Sequence, residues 1–192
     1  RRRIEKRPEA ILVFDTFTNL TSENLPLMHR HEVELGERRS GIWLSGLKRP
    51  TGSGSSSDSS NPTSFAATDS AGIGLIALDD VLRLHVRNEA PGGSISMADA
   101  NLALKPGAAY TAEWAVVPTD RPDYWPFLNA CRRLVDANFT IEGAFAFMRA
   151  SRHTEAWTDE QTADFIRFKD AMYACSSIGS YGGRNAHGTA FQ

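Results

Sequence analysis

The side-chain chemistry of this chain is densest in one glycine-rich stretch, GSYGGRNAHG, where Tyr181, Arg184, Asn185 and His187 stand close together. An aromatic ring can stack on the C–H face of a sugar, and a guanidinium, an amide and an imidazole held by glycines can serve its hydroxyls; together these are the parts of a sugar-binding site. A second polar stretch, Arg149 to Trp157, supplies Arg149, Arg152, His153 and Glu155. Tyr181, Arg184, Asn185, His187, His153 and Glu155 are the candidate substrate-binding residues if the strands before these two stretches open a barrel, whose loops at that end carry the ligands. Glycoside cleavage asks for two carboxyl groups, one protonated as acid and one ionised as nucleophile or base, about 5–10 Å apart. Glu142 and Glu155 are at hand, but sequence identifies a partner for neither. Both read as structural or substrate-orienting groups, and the catalytic residues stay unassigned.

Other chemistries find less support. His29 and His31 share one face of a predicted strand and could ligate a metal, but sequence places no third ligand beside them; the competing reading is an exposed sheet face. Asp79-Asp80 could bind calcium, yet a turn between two strands explains the pair without an ion. Asn19-Leu20-Thr21 and Asn138-Phe139-Thr140 match the glycosylation pattern, which matters only in a eukaryotic secretory setting. There is no phosphate-binding glycine loop, no G-x-S-x-G and no Cys/His nucleophile arrangement. No cofactor and no metal is called for.

Composition narrows the class further. With 192 residues, 41% hydrophobic and 23% charged, the chain has ordinary globular composition and enough length for one large domain, or one domain and part of another. A formal net charge of -2 offers no basic field for nucleic acid. The run Arg1, Arg2, Arg3, Lys6 and Arg7 lacks interleaved aromatics and reads as a solvated end. Cys131 and Cys175 are too few for a disulfide framework, and Cys131 falls on a core face. No apolar run approaches the roughly 18 residues of a membrane span, and no signal peptide is visible. Neither nucleic acid nor a membrane is an expected partner. The chain starts at Arg1 without an initiator Met and ends just after the glycine-rich stretch, so it is expected to be a fragment of a longer protein, of open compartment and oligomeric state.

The elements that must position these groups turn on Ala109 to Phe147, where the hydrophobic period changes from two to about 3.6 and back. Tyr110, Ala112, Trp114 and Val116 fall on one face of a strand, and Thr111, Glu113, Ala115 and Val117 on the other. Pro118 and Pro122 stop it. Asp123 is a good N-cap for a helix starting at Tyr124, with Pro126 at its third position. Tyr124, Phe127, Leu128, Cys131, Leu134 and Val135 form its apolar stripe, and Asn138 suits a left-handed C-terminal residue. Phe139, Ile141, Phe145 and Phe147 then alternate with Thr140, Glu142, Ala144 and Ala146 as a second strand.

Before that stretch, short strands are predicted at 10–20, 29–35, 41–47, 63–68, 72–77, 81–88, 94–97 and 101–104, with a hinge at Asn24-Leu25-Pro26. Residues 50–62, with their Gly/Ser tract, are expected as a flexible loop. Strands at this spacing argue for an antiparallel sandwich. After Phe147, Thr158-Asp159-Glu160-Gln161 has the form of a capping box opening a helix to about Lys169, and Ala171–Cys175 reads as a buried strand. Strand, helix, strand with tight connections is a βαβ unit with parallel strands.

The segment LALKPGAAYTAEWAVVPTDRPDYWPFLNACRR, a strand carrying Trp114 followed by a D-Y-W-x-F-x-N-x-x-R helix, resembles the junction in multidomain glycoside-hydrolase-like proteins. In those, a mutarotase-like β-supersandwich passes through a linker helix into a (β/α)8 barrel. FTIEGAFAFM and AMYACSSIGSYGGRNAHGTAF are then similar to the first two barrel strands and their loops. The resemblance implies a mainly β chain with a sandwich over 1–119, a linker helix over 120–138 and an incomplete βαβ portion of a barrel over 139–192. It implies a sugar site at the C-terminal ends of the barrel strands and catalytic carboxylates beyond residue 192. The expected function is that of a fragment of a carbohydrate-active, glycosidase-like hydrolase, inactive alone; the alternative is a non-catalytic carbohydrate-binding or adhesion module, with Trp43 or Trp114 as an exposed platform.

Overall fold

The computed structural model describes residues 1–36, 39–50, 52–149 and 151–177. The chain is mainly β with antiparallel sheets, and its contacts divide it into two compact units, Arg1–Asn138 and Phe139 onward.

In chain order the first unit holds β1 (Arg2–Lys6), β2 (Ile11–Thr18), β3 (Leu25–Glu34), β4 (Gly41–Leu44), β5 (Leu47–Lys48), β6 (Gly54–Ser56), β7 (Thr63–Ala67) and β8 (Gly72–Ala77). Helix α1 (Asp80–His85), β9 (Arg87–Ala90), β10 (Ser94–Leu104), β11 (Ala109–Thr119) and helix α2 (Tyr124–Leu134) follow. One sheet runs β1-β2-β11-β8-β7-β4-β5 and the other β3-β10-β9-β6, every pairing antiparallel.

Strand β11 shows how period two builds two cores at once. Its Ala112 and Trp114 join Val13, Ile42, Leu44, Leu75, Ile95 and Met97 between the sheets. Its Ala115 and Val117 face the other way and pack with Phe65, Tyr124, Phe127 and Cys131 beneath α2. Helix α2 starts where Asp123 accepts the Trp125 N–H at 3.2 Å. It ends in a Schellman turn with Asp136 at φ 51° and Ala137 N–H bonded to Arg132 O, so the left-handed residue is Asp136 and not Asn138. The Phe127 ring lies against the β8 backbone at Gly74, where an added Cβ would stand 2.2 Å from it. Burial drives the Cys131 thiol up to about 12, in keeping with a packing role.

Several elements differ from the sequence expectation for identifiable reasons. Residues 81–88 do not form one strand: Asp79 accepts the Leu82 N–H at 3.0 Å and starts α1, and only Arg87–Ala90 is extended. A cap and one buried apolar residue, Leu82, outweigh the alternation of Leu82, Leu84 and Val86. The Gly/Ser tract is not loop throughout, because Gly54–Ser56 adds an edge strand to β9 through backbone bonds that need no apolar side chain. The expected hinge at Asn24-Leu25-Pro26 enters β3, an edge strand, where a proline is tolerated. The predicted strands 94–97 and 101–104 are one strand with a bulge between Asp99 and Leu102. The basic N-terminal run forms β1, with Arg2 opposite Asp15.

The second unit contains β12 (Ala144–Arg149), helix α3 (Arg152–Glu155), helix α4 (Asp159–Phe168) and β13 (Ala171–Ser177). Strands β12 and β13 pair in parallel, and α4 carries the expected capping box between Thr158 and Gln161. Gly143, at φ 82°, sets the start of β12, so Phe139, Ile141 and Glu142 precede the strand and Glu142 is not a mid-strand group. The polar loop after β12 holds the short α3.

Truncating Phe127 to Ala should cost about 3–5 kcal/mol, because it empties the volume between α2 and Gly74. Urea unfolding of the variant checks this, and a loss under about 1 kcal/mol would place α2 outside the core.

Candidate functional site

The glycine-rich loop bearing Tyr181, Arg184, Asn185 and His187 lies outside the described residues. Of the second loop, Ser151 caps α3, and His153 and Glu155 are exposed on that helix, the His153 ring edge-on to Trp157 with centroids 5.9 Å apart. Neither tryptophan named for a sugar platform stands free. Trp114 is 5% exposed with its indole N–H on Asp15, and Trp43 is half-buried, stacked on Tyr124 and edge-on to Phe65.

A different set of groups converges inside the sandwich. His29 and His31 point from β3 into the interior, 9% and 3% exposed, not onto an open sheet face. His29 Nδ1 and His31 Nε2 are 2.9 Å apart and share a hydrogen bond. Beyond His31, its Nδ1 faces Asp15 Oδ2 at 3.3 Å; beyond His29, its Nε2 faces Asp99 Oδ2 at 3.9 Å. Those two outer nitrogens make no hydrogen bond. Asp15 comes from β2 and receives Arg2 through both carboxylate oxygens, at 2.7 and 2.9 Å, and the Trp114 Nε1–H at 3.1 Å. Asp99 sits at the β10 bulge, accepts the Asn101 N–H at 2.7 Å and holds His85 Nδ1 at 3.1 Å. One polar string thus links Arg2, Asp15, His31, His29, Asp99 and His85 across both sheets.

The surroundings set the charges. Burial, with the neighbouring imidazole second, drives His31 down from 6.5 to about 4, and burial outweighs the carboxylates at His29 and lowers it too. Burial works to raise the Asp15 carboxyl, but the Arg2 and Trp114 hydrogen bonds with the neighbouring positive charge outweigh it, and the carboxyl stays below the usual range. Tyr110 donates to Asp79 Oδ1 at 2.9 Å, and burial with that carboxylate raises its phenol. Asp79 is therefore neither a calcium ligand nor a turn residue: it caps α1 and takes the Tyr110 hydroxyl and the Glu113 N–H.

The string reaches solvent at a cleft of about 490 Å³ lined by Met28, Arg30, His85, Arg87, Asp99 and Asn101 among others. His85 is about a third exposed there while the Asp99 side chain is fully buried. A buried carboxylate that holds one ring nitrogen of a partly exposed imidazole fixes the orientation of the ring. Arg30 and Arg87 both pair with Glu89 at the rim. Among the described residues, no group of three or more His, Cys, Asp or Glu side chains is arranged to hold a metal ion. Among them also, no helix is long and apolar enough to cross a membrane. Asn19, in the first glycosylation pattern, is fully buried with its amide donating to Glu23 O and Leu104 O, so it is no acceptor in the folded unit.

Sequence reasoning missed Asp15, His85 and Asp99. The one available signal was the shared face of His29 and His31; their partners come from other strands. Compared with protein-family models and with curated proteins, the chain matches none.

Because His31 titrates near 6.5 when unfolded and about 4 when folded, it contributes stability that is complete above pH 6.5 and lost as pH falls toward 4. The loss should be on the order of 3 kcal/mol. Urea unfolding at pH 7, 5.5 and 4.5 should show it, with a shallower dependence in His31→Gln; equal slopes in both proteins would contradict the assignment.

Proposed function

We propose that this chain is part of a carbohydrate-active, glycosidase-like hydrolase whose sandwich unit takes a polyhydroxylated ligand in the cleft above His85 and Asp99. The observation that carries the reading is the cleft itself. Its floor is a carboxylate and an imidazole already fixed to each other, and its walls offer two guanidiniums, the Asn101 side chain and the apolar Met28. Fixed donors and acceptors beside a little apolar surface suit a sugar, whose hydroxyls need partners and whose C–H faces need contact.

The second unit fits the same reading as the start of a (β/α)8 barrel. A parallel pair with helices in its crossover is the repeating part of that fold, and ligands there bind at the C-terminal ends of the strands. His153 and Glu155 follow β12, and Tyr181, Arg184, Asn185 and His187 follow β13, the positions from which barrel loops contact substrate. The catalytic carboxylates of such an enzyme would lie beyond residue 192. The alternative, a carbohydrate-binding module without catalysis, draws support from the cleft as well, since His85 and Asp99 are an imidazole and a carboxylate and not a carboxylate pair.

Calorimetric titration of the chain with a panel of neutral and acidic oligosaccharides tests the proposal. At least one should bind saturably, and His85→Ala should weaken it tenfold or more while its amide spectrum shows the variant still folded. Binding by none of them, or equal binding by the variant, would remove the cleft from the account.

A further inference from the structure

The two histidines between Asp15 and Asp99 present a counting problem. The string has three gaps: Asp15 Oδ2 to His31 Nδ1, His31 Nε2 to His29 Nδ1, and His29 Nε2 to Asp99 Oδ2. Both ends are carboxylates and can only accept. The inner contact, at 2.9 Å, needs one N–H and one lone pair. The outer ones, at 3.3 and 3.9 Å, are charge contacts and not hydrogen bonds, and each favours a protonated nitrogen facing its carboxylate. Two neutral imidazoles bring two N–H groups, so one outer nitrogen is left bare toward its carboxylate; a third N–H serves both and leaves the pair with one positive charge between two carboxylates. A fourth would set N–H against N–H in the central gap, where the nitrogens are 2.9 Å apart. The geometry thus admits a third proton and excludes a fourth.

The central gap is closed, and the nitrogens without partners are the two outer ones, His31 Nδ1 and His29 Nε2, both shielded from solvent. Among the described residues, the charged and titratable groups facing the pair are Asp15, Asp99, Asp79, Arg2, Tyr110 and His85. Arg2 and the Trp114 indole hold Asp15; Tyr110, itself bonded to Asp79, lies beside the His29 ring; His85 shares Asp99 Oδ2 with His29. Phe17 stacks on His29 and the Trp114 ring lies tilted against His31, closing the rings off from water.

We infer that Asp15, His31, His29 and Asp99 form one buried site that binds a single proton in acid, and that the cleft senses its occupancy through the carboxylate Asp99 shares with His85. The proton comes from solvent and settles on the outer gaps, with no other bond made or broken. When His29 Nε2 gains its proton, the new charge stands 3.9 Å from the oxygen to which His85 Nδ1 is bonded at 3.1 Å, so both rings act on one carboxylate. The inference does not rest on the carbohydrate reading, because its ligand is the proton.

Long-range 1H–15N spectra of the histidine rings in the whole chain, recorded from pH 7.5 to 4 with amide spectra to follow the fold, test it. His29 and His31 should take up one proton between them in a single concerted step, and the His85 ring signals should move in that same step. Asp99→Asn removes the negative charge that favours a proton on His29 Nε2; in this variant the step should move to lower pH or vanish while the amide dispersion persists. Uptake of two protons by the pair in the folded state, no uptake before unfolding, a His85 ring that does not respond, or an unchanged step in Asp99→Asn would each overturn the inference.

Discussion

The sandwich is organised around a carboxylate that water barely reaches. Asp15 sits on β2 with its side chain about a tenth exposed, and an ion in that position is tolerated only if its lone pairs are filled. Arg2 fills two and the Trp114 indole shares one, so the edge strand β1 and the central strand β11 are fixed to β2 by the same group. Toward the interior the carboxylate faces His31, which belongs to the opposite sheet. Hydrophobic burial between the sheets supplies most of the free energy, but it is nondirectional. The carboxylate and the imidazoles it faces set how the two sheets register.

The cleft depends on a second arrangement of the same kind. Asp79 gathers the Leu82 amide, the Glu113 amide and the Tyr110 hydroxyl, and so ties the start of α1 to β11. The six-residue helix is too short to stand on propensity alone. Anchored at Asp79, it delivers His85 from its last turn to Asp99, which the β10 bulge turns toward it. Cap, bulge and imidazole are separate local features that meet at one mouth, and each of the three is needed for the geometry there.

Much of this was legible in the residues, and the exceptions share a cause. The faces of β11, the N-cap at Asp123, the capping box at Thr158 and the parallel βαβ unit follow from local spacing, because each depends on residues within a turn or two of one another. The shared face of His29 and His31 was equally legible, but which side of the strand faced the core was not, since that depends on what pairs with β3. Asp15 and Asp99 could not be joined to the pair from sequence, because strand order brings them together and no local period encodes strand order. The helix at Asp80–His85 was hidden by alternating Leu82, Leu84 and Val86, where the cap at Asp79 decided against the pattern. The edge strand at Gly54–Ser56 was hidden by its composition, since backbone pairing leaves no hydrophobic signature.

The central claim is that the polar string across the interior couples the sheets energetically and is more than a by-product of their packing. A double-mutant cycle on Asp15→Asn and His31→Gln, read by urea unfolding at pH 7, tests it most directly. The account predicts a coupling energy of about 1 kcal/mol or more, since either change alone disrupts the contact and the second then costs less. Additive losses, within about 0.3 kcal/mol, would show that the two groups act independently and that apolar burial alone fixes the sandwich.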